Sequence, residues 1–212
     1  MRDISQLFPP EFFARTDEND DRLFYAEPHF IDLIDVEGQA ALTQLLSELL
    51  PEHGTVLDLM ASHNSHVPLD LPCTLYGLGL NAEEMATNLF LTDLTQHDLN
   101  SDPTLPFPDA MFDAVLCTAS AEYLLHPVEL FADVNRVLRP NGVFVVTFSD
   151  RVITQKVVQG WMELDEAKRV ALIAAYFQLS GGWGQPATRV KALPETDPVF
   201  MVWAFKGETG TG

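Results

Sequence analysis

The sequence predicts an α/β fold built on a mostly parallel seven-stranded sheet, with helices on both faces and one antiparallel strand near the edge. Three observations predict it. From residue 36 to residue 179, apolar runs of strand length alternate with segments of helical spacing, as parallel strands with helical crossovers require. The run 112–118 (FDAVLCT) is apolar on both faces, which suits a central strand buried from both sides. The last two runs, 187–193 and 199–205, are joined by a loop too short for a crossover, so they must pair antiparallel.

The elements follow in order. Residues 8–35 are rich in aromatics and acids. Phe8, Phe12, Phe13, Phe24, Tyr25 and Phe30 cannot all stay in water, so this arm should pack over the rest. Residues 36–50 place Ala40, Ala41, Leu42, Leu45, Leu46, Leu49 and Leu50 at helical spacing, and Pro51 and Gly54 stop the helix. Strands are expected at 55–60 (TVLDLM), 73–80 (CTLYGLGL), 89–94 and 142–148 (GVFVVTF). Asn81 with Glu84 three positions on reads as a capping box that starts a short helix. Pro127 opens a helix through Leu138. Asn141 and Gly142 make a turn, and residues 164–179 form a helix closed by Gly181 and Gly182.

The chain has 212 residues and nearly half are apolar, enough for one domain with a sizeable core. It divides into an arm and helix (1–50), a core of sheet and helices (51–206) and a tail (207–212). The formal charge is −19. Such a surface repels phosphate backbones and anionic lipid, so nucleic acid and membranes are not expected partners. Cys73 and Cys117 lie in apolar runs and read as reduced core thiols without disulfide or zinc spacing. The first ten residues do not resemble a signal peptide, and no apolar run is long enough to span a bilayer. A cytoplasmic or organelle-stromal setting is the expectation.

Particular strings resemble the class I S-adenosylmethionine (SAM)-dependent methyltransferases, which are Rossmann-like. Residues 55–59 (TVLDL) look like the family's first motif, where a strand runs into the cofactor loop. Residues 105–117 (LPFPDAMFDAVLC) look like the entry to the fourth strand in the methyltransferase type 11 group. Residues 130–149 (LFADVNRVLRPNGVFVVTFS) resemble that group's helix, turn and fifth strand. The strings 24–30 (FYAEPHF) and 60–66 (MASHNSH) are similar to a branch of that group found in phototrophs. The resemblance implies SAM as cofactor and methyl transfer to a small, neutral or cationic acceptor.

The cofactor loop departs from the family pattern. Glycines there let the backbone approach the ligand and take positive φ, and the following helix offers free N–H groups to the cofactor's carboxylate. Aligned on Asp58, the three glycines are Met60, Ser62 and Asn64, of which only Asn64 tolerates a left-handed backbone readily. Pro68 and Pro72 cut the next helix short. The acid that usually holds the ribose is Gly79 here, with Leu80 beside it and Asn81 or Glu83 as the alternative partners for the ribose. By resemblance, Asp93 would meet the adenine edge and Leu94 would flank the ring.

Two readings stay open. Either SAM binds in an altered loop, with Ala61, Ser62, His63 and Asn64 making the contacts, or the fold serves as a non-catalytic binding module. In the first, the acceptor lies past the fourth strand, at Thr118 and beyond, where Glu122, Tyr123 and His126 are the polar candidates for catalysis. For His126 the alternative is a helix-start neighbour of Pro127. His63 and His66 share metal spacing only if they lie on one helix, which Pro68 opposes, so no metal site is expected.

Overall fold

The computed structural model describes residues 8–192 and 196–207. The expected tail lies outside them apart from Gly207, as do Leu193, the last residue of the expected strand 187–193, and Pro194 of the last loop. Seven strands form one sheet: β1 (Thr55–Leu59), β2 (Thr74–Gly79), β3 (Asp93–Gln96), β4 (Phe112–Thr118), β5 (Leu138–Phe148), β6 (Ala187–Lys191) and β7 (Val199–Phe205). Their order is β3-β2-β1-β4-β5-β7-β6. The pairs from β3 through β5 are parallel, and β7 runs antiparallel to both β5 and β6.

Among the described residues six α-helices accompany the sheet: α1 (Asp21–Phe24), α2 (Val36–Leu49), α3 (Ala82–Ala86), α4 (Pro127–Val137), α5 (Gln159–Met162) and α6 (Glu166–Ser180). Asp35 caps α2 through the Gly38 N–H, and Asp165 caps α6 through the Lys168 N–H. One sheet face buries Leu57, Leu59, Phe144 and Phe148 under α4, α6 and Trp161. The other buries Val56, Leu75 and Leu116 under Leu42, Leu45 and Leu46 of α2.

Two expectations change. The third strand starts at Asp93 rather than Leu89, since residues 89–92 form a turn after α3 that leaves Leu89 97% exposed. The expected turn at Asn141 does take a left-handed backbone (φ 63°), but it falls within the bounds of β5. The arm packs as expected at Phe8, Phe12 and Phe13, which contact one another and the core. Phe30 instead stays 57% exposed.

Candidate functional site

In the strand order, chain direction reverses its progress between β1 and β4. Ligands in open parallel sheets bind in the crevice outside the carboxyl ends of strands at such a point. A cleft lies there. It encloses about 1210 Å³ with its open mouth included, and runs from the ends of β1, β2, β3 and β4 to the inner side of the arm.

No helix follows β1; the crossover from Met60 to Cys73 is irregular throughout. Its shape comes from side chains. Asn88 donates to the Ser62 carbonyl at 3.0 Å and to Ser65 Oγ at 2.9 Å. Ser65 Oγ donates to Asp58 at 2.6 Å, and Ser62 Oγ to Glu84 at 2.7 Å. The other Glu84 oxygen accepts from the His29 N–H of the arm. The left-handed positions are Met60 (φ 54°) and His66 (φ 55°), not Asn64. Asn64 instead accepts the His66 N–H in a local turn.

This loop explains Gly79. The Ala61 N–H donates to the Leu78 carbonyl, which lays the loop's main chain across the end of β2. A Cβ on residue 79 would stand 2.5 Å from the Ala61 carbonyl oxygen. An acid cannot be placed there without moving the loop. Asn81 is no substitute: its oxygen caps α3 by accepting from Glu83 and Glu84, and its amide donates to the Tyr25 and Ala26 carbonyls.

Asp58, Met60, Ala61, Ser62, His63, Asn64, Gly79, Leu80, Asn81 and Thr118 all line the cleft. Asp93 and Leu94 do not. Asp93 is exposed at the far, N-terminal end of β3 and pairs with Tyr76. The carboxyl end of that strand delivers Asp98 and Leu99 to the cleft. The string TDLTQHDL contains two Asp-Leu pairs five residues apart, and the strand's true start selects the second.

Burial holds Asp58 up at about 7, against the one hydrogen bond from Ser65. Burial keeps His66 below the usual histidine range. His63 lies 3.4 Å from Asp32 of the arm. The arm itself is fixed by a buried cluster that sequence spacing did not reveal. Lys156, 1% exposed, reaches Asp17 at 3.1 Å and Asp21 at 2.9 Å, and donates to the Asn19 carbonyl. Arg15 donates twice to Asp21, and Asn100 donates to Asp21 as well. Hydrogen bonds from Arg15, Asn100 and Lys156 hold Asp21 below the ordinary carboxylate range despite its burial.

Of the three polar candidates past β4, only Tyr123 faces the cleft. Its hydroxyl accepts the Ile153 N–H at 2.8 Å, and burial drives its ionisation up, so the phenol stays neutral. Glu122 points into the core, wholly buried, with both carboxyl oxygens unpartnered. Burial lifts it to about 8, so it is a neutral acid at pH 7 rather than an exposed one. His126 is exposed at the position before α4 and lies outside the cleft, the helix-start alternative. Among the described residues no group of three histidines, cysteines or acids is placed to hold a metal, and no helix is long and apolar enough to cross a membrane.

Residues 53–146 match the methyltransferase domain family, a span that contains all four strand ends under the cleft. The match covers less than half of the chain, and over that segment the chain is similar to a methyltransferase domain. The Arabidopsis thaliana protein named probable methyltransferase PMT28 is 34% identical over 105 residues, 43% of this chain and 14% of that protein. The chain therefore spans only a small part of that relative's length. Among solved structures, the cyclase SpnF superposes with a TM-score of 0.59 at 16% identity, over 79% of this chain and 81% of SpnF. A SAM-dependent methyltransferase from Aquifex aeolicus gives 0.54 at 18% identity, over 88% of this chain and 97% of that one. At these identities the likeness is one of fold.

Proposed function

We propose that the chain binds SAM in this cleft and transfers its methyl group to a small-molecule acceptor. The observation that carries the reading is the place and charge of the cleft. It opens at the strand ends inside the matched methyltransferase span, and its walls hold Asp32, Glu84 and Asp98 beside buried Asp58, while Asp21 is already bound by Lys156 and Arg15. A sulfonium cation suits such walls.

The residues present fit the cofactor in room and charge and differ from the family at the ribose. Asp98 and Leu99 would flank the adenine, and Leu80 would lie beside the ribose. Asp58, Ser62, His63, Asn64 and Thr118 would surround the amino-acid end, where side chains replace helix N–H groups. The sulfonium supplies an electrophilic methyl, and the protein's part is alignment and exclusion of water. Neutral Tyr123, fixed through Ile153, would hydrogen-bond the acceptor from the β4 side. The acidic chain is assigned to the cytoplasm or an organelle stroma.

A second reading, a non-catalytic protein of this fold, is favoured by one observation: Ala61 covers the place where the ribose acid would stand. The fold hosts other chemistry, as the cyclase SpnF indicates by its name. Calorimetric titration with S-adenosylhomocysteine separates the readings. We expect saturable binding that weakens in Asp98→Ala and disappears in Ser62→Trp. No heat at millimolar ligand would end the methyltransferase reading.

A further inference from the structure

The crossover that lacks a helix leaves apolar side chains uncovered. Between α2 and residues 67–70 runs a groove with Val36, Ala40, Leu69 and Phe90 on its apolar side and Gln39 and Thr43 on its polar side. Leu69 is 91% exposed and Val36 75% exposed. The groove encloses about 870 Å³ with its open side included. It adjoins the cleft, because Asn64 and His66 line both.

The two spaces differ in charge. Five acids and one lysine line the cleft; Asp21 is bound by Lys156 and Arg15 and buried Asp58 is held up at about 7, which leaves Asp32, Glu84 and Asp98 as its negative wall. The groove holds a single acid, Asp70, and no lysine or arginine. A ligand matched to both has a cationic head and an apolar tail. Charge decides the head: an anion would enter a cleft walled by acids on a chain of charge −19. Size decides the tail. The groove is bordered by the first turns of α2 and four loop residues, far short of the roughly 800 Å² per partner of a stable protein interface.

We propose that the small molecule recognised beside the cofactor is an amphiphilic amine, its protonated head in the cleft and its apolar tail laid over Asn64 and His66 into the groove. As an acceptor it rests on the methyltransferase reading; as a ligand it does not. The tail's contribution comes from covering Val36 and Leu69, which otherwise face water, beside the half-buried Phe90.

The test is calorimetric titration of the full chain with straight-chain primary amines from propylamine to octylamine, below their micelle concentrations. Affinity is expected to rise by up to about fourfold per methylene until the groove is filled. Carboxylates of equal length should bind at least about tenfold more weakly. Leu69→Asp and Val36→Asp should flatten the chain-length series while leaving propylamine binding unchanged. Both sites are largely exposed, so these variants should fold, and circular dichroism checks that. Affinity independent of chain length, or carboxylates binding as tightly as amines, overturns the proposal. So does a dimer that Leu69→Asp dissociates, since the groove would then belong to a second copy. A parallel titration with S-adenosylhomocysteine keeps the two ideas apart. Amines binding as described with no nucleoside binding sinks the enzyme and leaves the amine site, and the converse sinks only the amine site.

Discussion

At the carboxyl end of β2, one missing side chain records how the cofactor loop is built. A Cβ on Gly79 would lie 2.5 Å from the Ala61 carbonyl and 3.1 Å from the Met85 sulfur. The sulfur can move; the carbonyl is main chain held by the Ala61–Leu78 hydrogen bond. Gly79→Asp, which restores the family's acid, should therefore destabilise the fold by about 1–3 kcal/mol and leave S-adenosylhomocysteine affinity no better. Denaturant melts and calorimetry of the one variant read both. A gain in affinity without loss of stability would mean the loop yields easily. The sequence displayed the glycine but not its reason, because the carbonyl that forbids a side chain comes from a different strand's loop.

Glu122 gives a second prediction at this scale. Burial raises its pKa from 4.5 to about 8, so the folded state retains a proton that the unfolded chain releases. Stability attributable to this group is then greatest below the unfolded value, falls as pH rises through the window from about 4.5 to 8, and levels off above it. Asp58, raised to about 7, adds a slope of the same sign. Glu122→Gln should remove its share: little change in melting temperature near pH 4, and a clear rise above pH 8. An unchanged pH profile in the variant would show that Glu122 ionises freely in the fold. Position along the chain makes Glu122 a polar candidate near the acceptor. Only the packing of Trp161, Val158 and Tyr123 in the same core reveals a buried one.

At the scale of elements, strands announce themselves and the crossover does not. The bounds of β4 and β7 coincide with apolar runs because those strands are covered on both faces. The start of β3 was misplaced because Leu89 is apolar yet exposed, and a four-residue strand at the sheet's edge has no hydrophobic period to mark it. Pro68 and Pro72 foretold the missing helix, but not what replaces it. Glu84, expected to complete the capping box of α3, holds Ser62 instead, and Asn88 holds Ser62 and Ser65. Asn88→Ala leaves the Ser62 carbonyl without that donor and removes the support of Ser65, which among the described residues is the only side-chain donor to Asp58. The loss should be about 1–3 kcal/mol, with weaker S-adenosylhomocysteine binding because the cleft wall loosens. If stability falls and affinity holds, the loop does not contact the ligand.

For the whole molecule, charge is the dominant property and the one most fully legible in composition. Thirty-one acids face twelve lysines and arginines, so most carboxylates have no cation to pair with. The strong pairs are spent at Lys156 and Arg15, where burial protects them from salt. Exposed pairs such as Arg189–Glu48 and Arg139–Asp113 contribute little individually. Added salt should therefore relieve self-repulsion more than it weakens attraction, and the melting temperature should rise between about 0.01 and 0.5 M ionic strength as the screening length shrinks from roughly 30 Å to a few ångströms. The same screening acts on the cleft with the opposite result for a cation. SAM, which carries the sulfonium charge, should bind more weakly at high salt, whereas S-adenosylhomocysteine, which lacks it, should change much less. Calorimetry of both ligands across one salt series measures the difference directly. Parallel salt dependence of the two would mean that the cleft carboxylates are neutralised by their own hydrogen-bond partners and exert no field on the ligand. A melting temperature that falls with salt would mean that surface ion pairs, not repulsion, govern this acidic fold.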